Sequence, residues 1–224
     1  MRVVVAGGHG KVAMRLGRRL AQRGDEAVGI IRNPDQASDL SEAGMTPVVV
    51  DLEKATVEQV ADVLEGADAA VFAAGAGPGS GAARKETVDR AAAVLFAAAA
   101  ERAGVRRFLQ VSSMGVEQVR DGGRPEGVDE VFVAYLRAKL AAEEDLRRRD
   151  LDWVIVRPGR LTNDPGTGRV RLAPRVDRSE ISRDDVADVL LALLDTPAVT
   201  RVVLELVKGE TPVAEAVAAH ARSG

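Results

Sequence analysis

Short apolar, β-branched runs alternate with longer amphipathic stretches along the whole of this 224-residue chain, and that alternation restricts its fold more than any other feature. Strands are expected at 2–6, 27–31, 47–50, 69–73, 107–111, 153–156 and 201–206. Helices are expected at 11–23, in the residues leading to 43, and at 57–64, 84–103, 129–149, 184–194 and 213–221. Strands that are apolar throughout must be covered on both faces, and strands joined through helices run parallel. Crossovers of this kind are right-handed, and the units are too few for an eight-fold barrel. The expected fold is therefore a doubly wound parallel α/β sheet (a Rossmann fold) of about seven strands with helices on both faces.

The first strand–helix junction carries a glycine-rich turn, Gly7-Gly8-His9-Gly10, followed by Lys11, Val12 and Ala13. In this context the turn predicts a dinucleotide site. Gly7 permits the tight turn, Gly10 lets backbone approach a pyrophosphate, and Ala13 allows close helix–sheet packing. The helix N-terminus then offers unpaired N–H groups and partial positive charge to the phosphates. His9 is expected to line the loop and Lys11 to lie near the phosphates or in solvent. At the end of the second strand, where an acid would favour NAD, stands Arg32. A guanidinium suits a 2′-phosphate, so NADP is favoured over NAD. Asp51 and Leu52 after the third strand are placed near the adenine, and Ala73, Ala74 and Gly75 after the fourth near a ribose.

Tyr135 is the one tyrosine of the chain, and Lys139 follows it by four residues on an expected helix, which puts both on one face. Ser112 and Ser113 end the fifth strand, on the side of the sheet where ligands of such folds bind. Residues 161–180 form the one long stretch without a clear period. It follows the carboxyl end of a strand and is assigned to the substrate side. No repeat or linker splits the chain. Residues 1–224 are accordingly read as one dinucleotide-binding domain, its substrate side made by C-terminal segments from about 159 to 224.

Composition narrows the partners. A net charge of −3 gives no electrostatic reason to expect nucleic acid or an anionic membrane. The absence of cysteine and the presence of two histidines argue against disulfides and a metal site. The apolar run at the N-terminus is too short for a signal peptide or membrane span, so a cytoplasmic protein acting on a small molecule, as monomer or homodimer, is expected.

Taken together, Gly7-x-x-Gly10-x-x-Ala13, Tyr135-x-x-x-Lys139, the turn Val156-Arg157-Pro158-Gly159 and the segment Ile181-Ser182-Arg183-Asp184-Asp185-Val186-Ala187 resemble the atypical short-chain dehydrogenase/reductase superfamily. They are similar to its NAD(P)H-binding, NmrA-like subgroup, whose members are often labelled NAD-dependent epimerase/dehydratase. The resemblance implies an oxidoreductase that moves a hydride to or from a small carbonyl or alcohol. Tyr135 would give a proton to the carbonyl oxygen, and Lys139 would assist through its charge and hold the nicotinamide ribose. Ser113, or secondarily Ser112, would hydrogen-bond that oxygen. Pro158 and Gly159 would pass beside the nicotinamide. Where many relatives carry an asparagine on the long helix after the fourth strand, this chain has Asp89. Two alternatives stay open: an epimerase or dehydratase that returns its nucleotide unchanged, and a non-catalytic NADP(H)-binding redox sensor.

Overall fold

The computed structural model describes residues 1–77 and 79–221. Positions 78 and 222–224 lie outside them. The parallel part of the sheet is laid down in the order β3 (Met45–Val49), β2 (Glu26–Ile31), β1 (Arg2–Ala6), β4 (Ala69–Phe72), β5 (Arg107–Val111), β6 (Asp152–Pro158) and β10 (Val202–Lys208). The order reverses between β1 and β4, which opens a crevice at their carboxyl ends.

Among the described residues the sheet has nine strands where about seven were expected. β8 (Arg169–Ala173) pairs antiparallel with β10, and the two-residue β11 (Thr211–Pro212) pairs antiparallel with β8. β8 comes from the stretch 161–180, which showed no period. That stretch alternates exposed and buried residues over only five positions, too few to stand out from its charged surroundings. A separate parallel pair, β7 (Arg160–Thr162) with β9 (Glu180–Ser182), brackets it.

Two packed layers enclose the sheet. Val3 and Val5 of β1 face one core and Val4 and Ala6 the other, as strand alternation requires. The first layer holds α1 (Lys11–Gln22), α7 (Arg183–Leu194) and α8 (Val213–Ala218) over an aliphatic core. Arg15 and Arg19 of α1 pair with Asp184 and Asp188 of α7, which joins the two helices at their rim. The second layer holds α3 (Val57–Leu64), α5 (Ala92–Arg102) and α6 (Glu130–Arg147). Most of the chain's few aromatic rings gather there, with Phe96 5.7 Å from Phe108 and 6.1 Å from Phe72. Each such buried ring contributes about 1.5–3 kcal/mol of transfer free energy.

One expected helix is not regular. Residues 84–103 were read as continuous α-helix, but the chain runs from α4 (Ala82–Arg84) into a π-helical stretch, Lys85–Ala91, before α5 begins. The wider turn brings Lys85, Val88 and Asp89 inward together, toward α6. No residue pattern announces a π turn, so the irregularity was not readable in advance.

Candidate functional site

The glycine turn has the geometry that its residues imply. Gly7 sits at φ +77°, and a Cβ there would lie 2.6 Å from the Ala74 Cα. Gly10 N–H closes the turn on the Gly7 carbonyl at 2.8 Å, and a Cβ on Gly10 would come within 3.0 Å of that same oxygen. Gly8 packs against the backbone of Gly29 and donates to the Ile30 carbonyl. Gly10 caps α1 without a side chain, and the first turn carries no acid. The N–H groups of Lys11, Val12 and Ala13 precede the first intrahelical bond, which Met14 makes to Gly10. The turn is a backbone cradle that could hold a phosphate and that an added side chain would fill.

A cavity of about 290 Å³ opens from this turn across the carboxyl ends of β1, β2 and β4. Gly7, His9, Gly10, Arg32, Asp51, Leu52, Ala73, Ala74 and Gly75 line it. Gly8 and Val12 support it from behind, Lys11 is exposed on α1, and Pro158 and Gly159 stand at the end of β6, outside the lining. Gly159 is needed for packing, since a Cβ there would overlap the Ser179 carbonyl. His9 contacts Asp39 at 2.7 Å across the loop.

At the far end of the cavity two arginines share one carboxylate. Arg32 and Arg84 each donate to Glu53 Oε2 at 2.8 Å, while Thr87 donates to Oε1 at 2.6 Å. Among the described residues the Arg84 Nε is buried without a hydrogen-bond partner. Arg84 and Glu53 were not singled out from the sequence, because Arg84 enters from the segment after β4 and nothing local ties it to Arg32.

The second cluster is assembled on α6. Tyr135, Lys139 and Glu143 recur every four residues and form one stripe along the helix. Lys139 is only 4% exposed and Asp89 is 0% exposed, and the two form an ion pair at 3.3 Å. Lys139 also donates to the carbonyls of Ala74 and Val111, both at 3.3 Å, so its ammonium touches the segment after β4, the end of β5 and the π stretch. Ala74 lines the dinucleotide cavity, and this bond connects the two clusters. Asp89 Oδ2 accepts from the Ala76 N–H at 3.3 Å, a contact that orders the backbone after β4. The Tyr135 ring lies 5.9 Å from the Lys139 ammonium and 5.5 Å from a second one, Lys85.

Ser112 and Ser113 diverge. Ser112 turns inward and donates to Glu143 Oε1 at 2.6 Å. Arg157 grips that buried carboxylate through Nε at 2.9 Å and Nη2 at 2.6 Å, then reaches Glu117 at 2.6 Å. Hydrogen bonds from Arg120 and then Arg157 hold the Glu117 carboxyl down to about 2. This network ties α6 to the ends of β5 and β6. The Ser113 hydroxyl contacts the neighbouring Met114 carbonyl at 3.1 Å and stays half-buried at the strand end.

Comparison with known proteins gives the family. A family model described as NAD(P)H-binding matches residues 7–197. The chain belongs to that NAD(P)H-binding family, within the atypical short-chain dehydrogenase/reductase superfamily. A Bacillus subtilis relative named "Uncharacterized sugar epimerase YhfK" is 34% identical over 217 residues, covering 96% of this chain and 98% of the relative. A Bacillus halodurans structure described as an NAD-dependent epimerase/dehydratase superposes with a TM-score of 0.88 at 36% identity, covering 98% of this chain and 99% of its own. The Lactococcus lactis oxidoreductase ylbE gives a TM-score of 0.84 at 27% identity over the full length of both. Members of this NAD(P)H-binding family are oxidoreductase-like or epimerase-like, and such an enzyme fits the site.

Proposed function

We propose that the protein is an NADP(H)-dependent oxidoreductase that reduces a small carbonyl compound or oxidises the corresponding alcohol. The observation that carries this reading is the bond from Lys139 to Ala74, which joins the Tyr135 cluster to the wall of the dinucleotide cavity. When bound, the nicotinamide supplies or accepts a hydride. The Tyr135 hydroxyl gives the proton that completes the alcohol as the carbonyl oxygen gains charge, and Ser113 donates a hydrogen bond to that oxygen. Lys139 stabilises the tyrosine oxygen as it loses its proton, while Asp89 keeps the buried ammonium in place.

For the cofactor, backbone from Gly7 to Gly10 and the start of α1 would take the pyrophosphate. Arg32 would take a 2′-phosphate, whose charge and paired oxygens match the two parallel N–H donors of a guanidinium. The nearby Arg84 supports NADP over NAD, because one carboxylate, Glu53, now serves two guanidinium groups.

The test is NADPH oxidation against a panel of aldehydes, ketones and quinones, with Tyr135→Phe as control. Turnover by the wild type that survives unchanged in Tyr135→Phe would sink the reading. A second reading, an epimerase or dehydratase that returns its nucleotide unchanged, is supported by the names of the Bacillus relatives. It predicts substrate conversion with no net change in nicotinamide absorbance.

A further inference from the structure

Lys85 is used by nothing described so far. It lies on the π-helical stretch, is 7% exposed, and donates to the Gly77 carbonyl at 2.8 Å. Among the described residues no carboxylate lies within 4 Å of its ammonium. The acid four residues on, Asp89, is committed to Lys139 and to the Ala76 N–H. An ammonium has three donors, and a buried one held by a single carbonyl is costly unless something else shares its charge. The π turn brings it inward, 5.5 Å from the centre of the Tyr135 ring.

A second neighbour of Tyr135 has the contrary character. Phe132, one turn earlier on α6, is 42% exposed with its ring 5.5 Å from that of Tyr135, and Val131 beside it is also exposed. Large apolar side chains left in water next to a reactive group form a wall for an apolar ligand. A buried cation with no counterion among the described residues and an exposed aromatic ring thus both neighbour the Tyr135 ring.

Building on the oxidoreductase reading above, we infer that Lys85 is the substrate anchor, and that the substrate is an apolar carbonyl compound bearing a carboxylate close to the reacting carbon. The carboxylate completes the hydrogen bonding of Lys85 in place of water, and the apolar body lies along Phe132. Lys85 thereby sets specificity, whereas Tyr135 and Lys139 act on the carbonyl. Its bond to Gly77 gives the anchor a second consequence, since the same side chain holds the loop after β4 beside the pocket.

The experiment measures binding, which needs no turnover. Protein saturated with NADP⁺ is titrated with phenylglyoxylate and, separately, with its uncharged methyl ester. The acid should bind about tenfold or more tightly than the ester, the difference expected for a charge-assisted hydrogen bond. Lys85→Gln should remove that preference and Lys85→Arg should keep most of it. Equal binding of acid and ester, no binding of the acid, or a preference that persists in Lys85→Gln would each overturn the inference. Retention of NADP⁺ affinity shows that a variant is folded. If Lys85→Gln fails that check, Lys85→Met and the wild-type acid-to-ester ratio decide the matter. Turnover of acid and ester alike would defeat this inference and leave the reductase reading intact. Preferential acid binding with no turnover of any carbonyl would do the reverse.

Discussion

The two ends of the cleft are built in opposite ways. The dinucleotide end is backbone and small residues, with its charges, Arg32 and Arg84, near the surface on either side of Glu53. The Tyr135 end is buried charge: Lys139, Asp89 and Lys85 are all at least nine-tenths enclosed, and only Tyr135 and its apolar neighbours reach out. A site that receives a large polyanion can leave its cations hydrated, because the ligand arrives with its own charge. A site that must stabilise charge appearing at one atom benefits from cations already stripped of water and fixed in place.

Substitutions can break this contrast, and the largest effect belongs to the buried end. Tyr135→Phe should lower turnover by about 10²–10⁴-fold, the span of general acid catalysis, while NADPH affinity measured by fluorescence titration stays nearly unchanged. Next comes Asp89→Ala, which leaves Lys139 enclosed without its counterion. Breaking a buried pair from one side costs about 3–5 kcal/mol, so the melting temperature should fall by roughly 10 °C. A shift of only a degree or two by calorimetry would mean that the pair is hydrated and the contrast weaker than drawn.

At the other end the effects are on affinity. Gly7→Ala forces a side chain into a left-handed backbone and against Ala74, and NADPH should bind about five- to thirty-fold more weakly. Arg32→Ala and Arg84→Ala should each weaken NADPH about tenfold and leave NADH unaffected. Equal losses for both nucleotides would assign these arginines to something other than a 2′-phosphate. The smallest effect is expected outside both clusters. The Glu117 carboxyl is depressed to about 2, so its share of stability is complete above the usual carboxylate range and disappears as pH falls toward 2. Glu117→Gln should flatten the acid limb of the stability profile, most visibly below about pH 4.5 by chemical denaturation.

The same contrast decides what could be read in advance. Gly7, Gly10, Arg32 and Ala74 stand within or directly after strands whose apolar runs are unmistakable, so their place at the sheet's carboxyl edge followed from the strand pattern. All seven parallel strands were readable for the same reason. Tyr135 and Lys139 were found because four residues is a local distance on a helix. The partner of Lys139 was noticed only as a departure, Asp89, and the Arg84–Glu53 contact not at all, because each joins segments more than thirty residues apart. The four-residue stripe did continue to Glu143, and Lys85 to Asp89 repeats the spacing. Those repeats were the available signal, and they gain meaning only once α6 and the π stretch are known to face each other. Ser112 and Ser113 show the limit most simply. Adjacent residues at a strand end point opposite ways, and which one turns inward depends on a buried acid thirty-one positions away from Ser112.

The nine-stranded sheet ends on β3 and on β11, and each of these strands contains a proline, Pro47 and Pro212. Proline has no amide hydrogen to offer an incoming chain, and a two-residue strand gives a newcomer little to align with. The sheet is therefore closed to growth at both borders without being rolled into a barrel. This matters for a chain whose strands are as uniformly apolar as these: if such a border were left complementary, it would template the addition of further copies. Two prolines, one at each border, thus keep the sheet from offering a regular edge to a further strand while the crevice at its centre stays open.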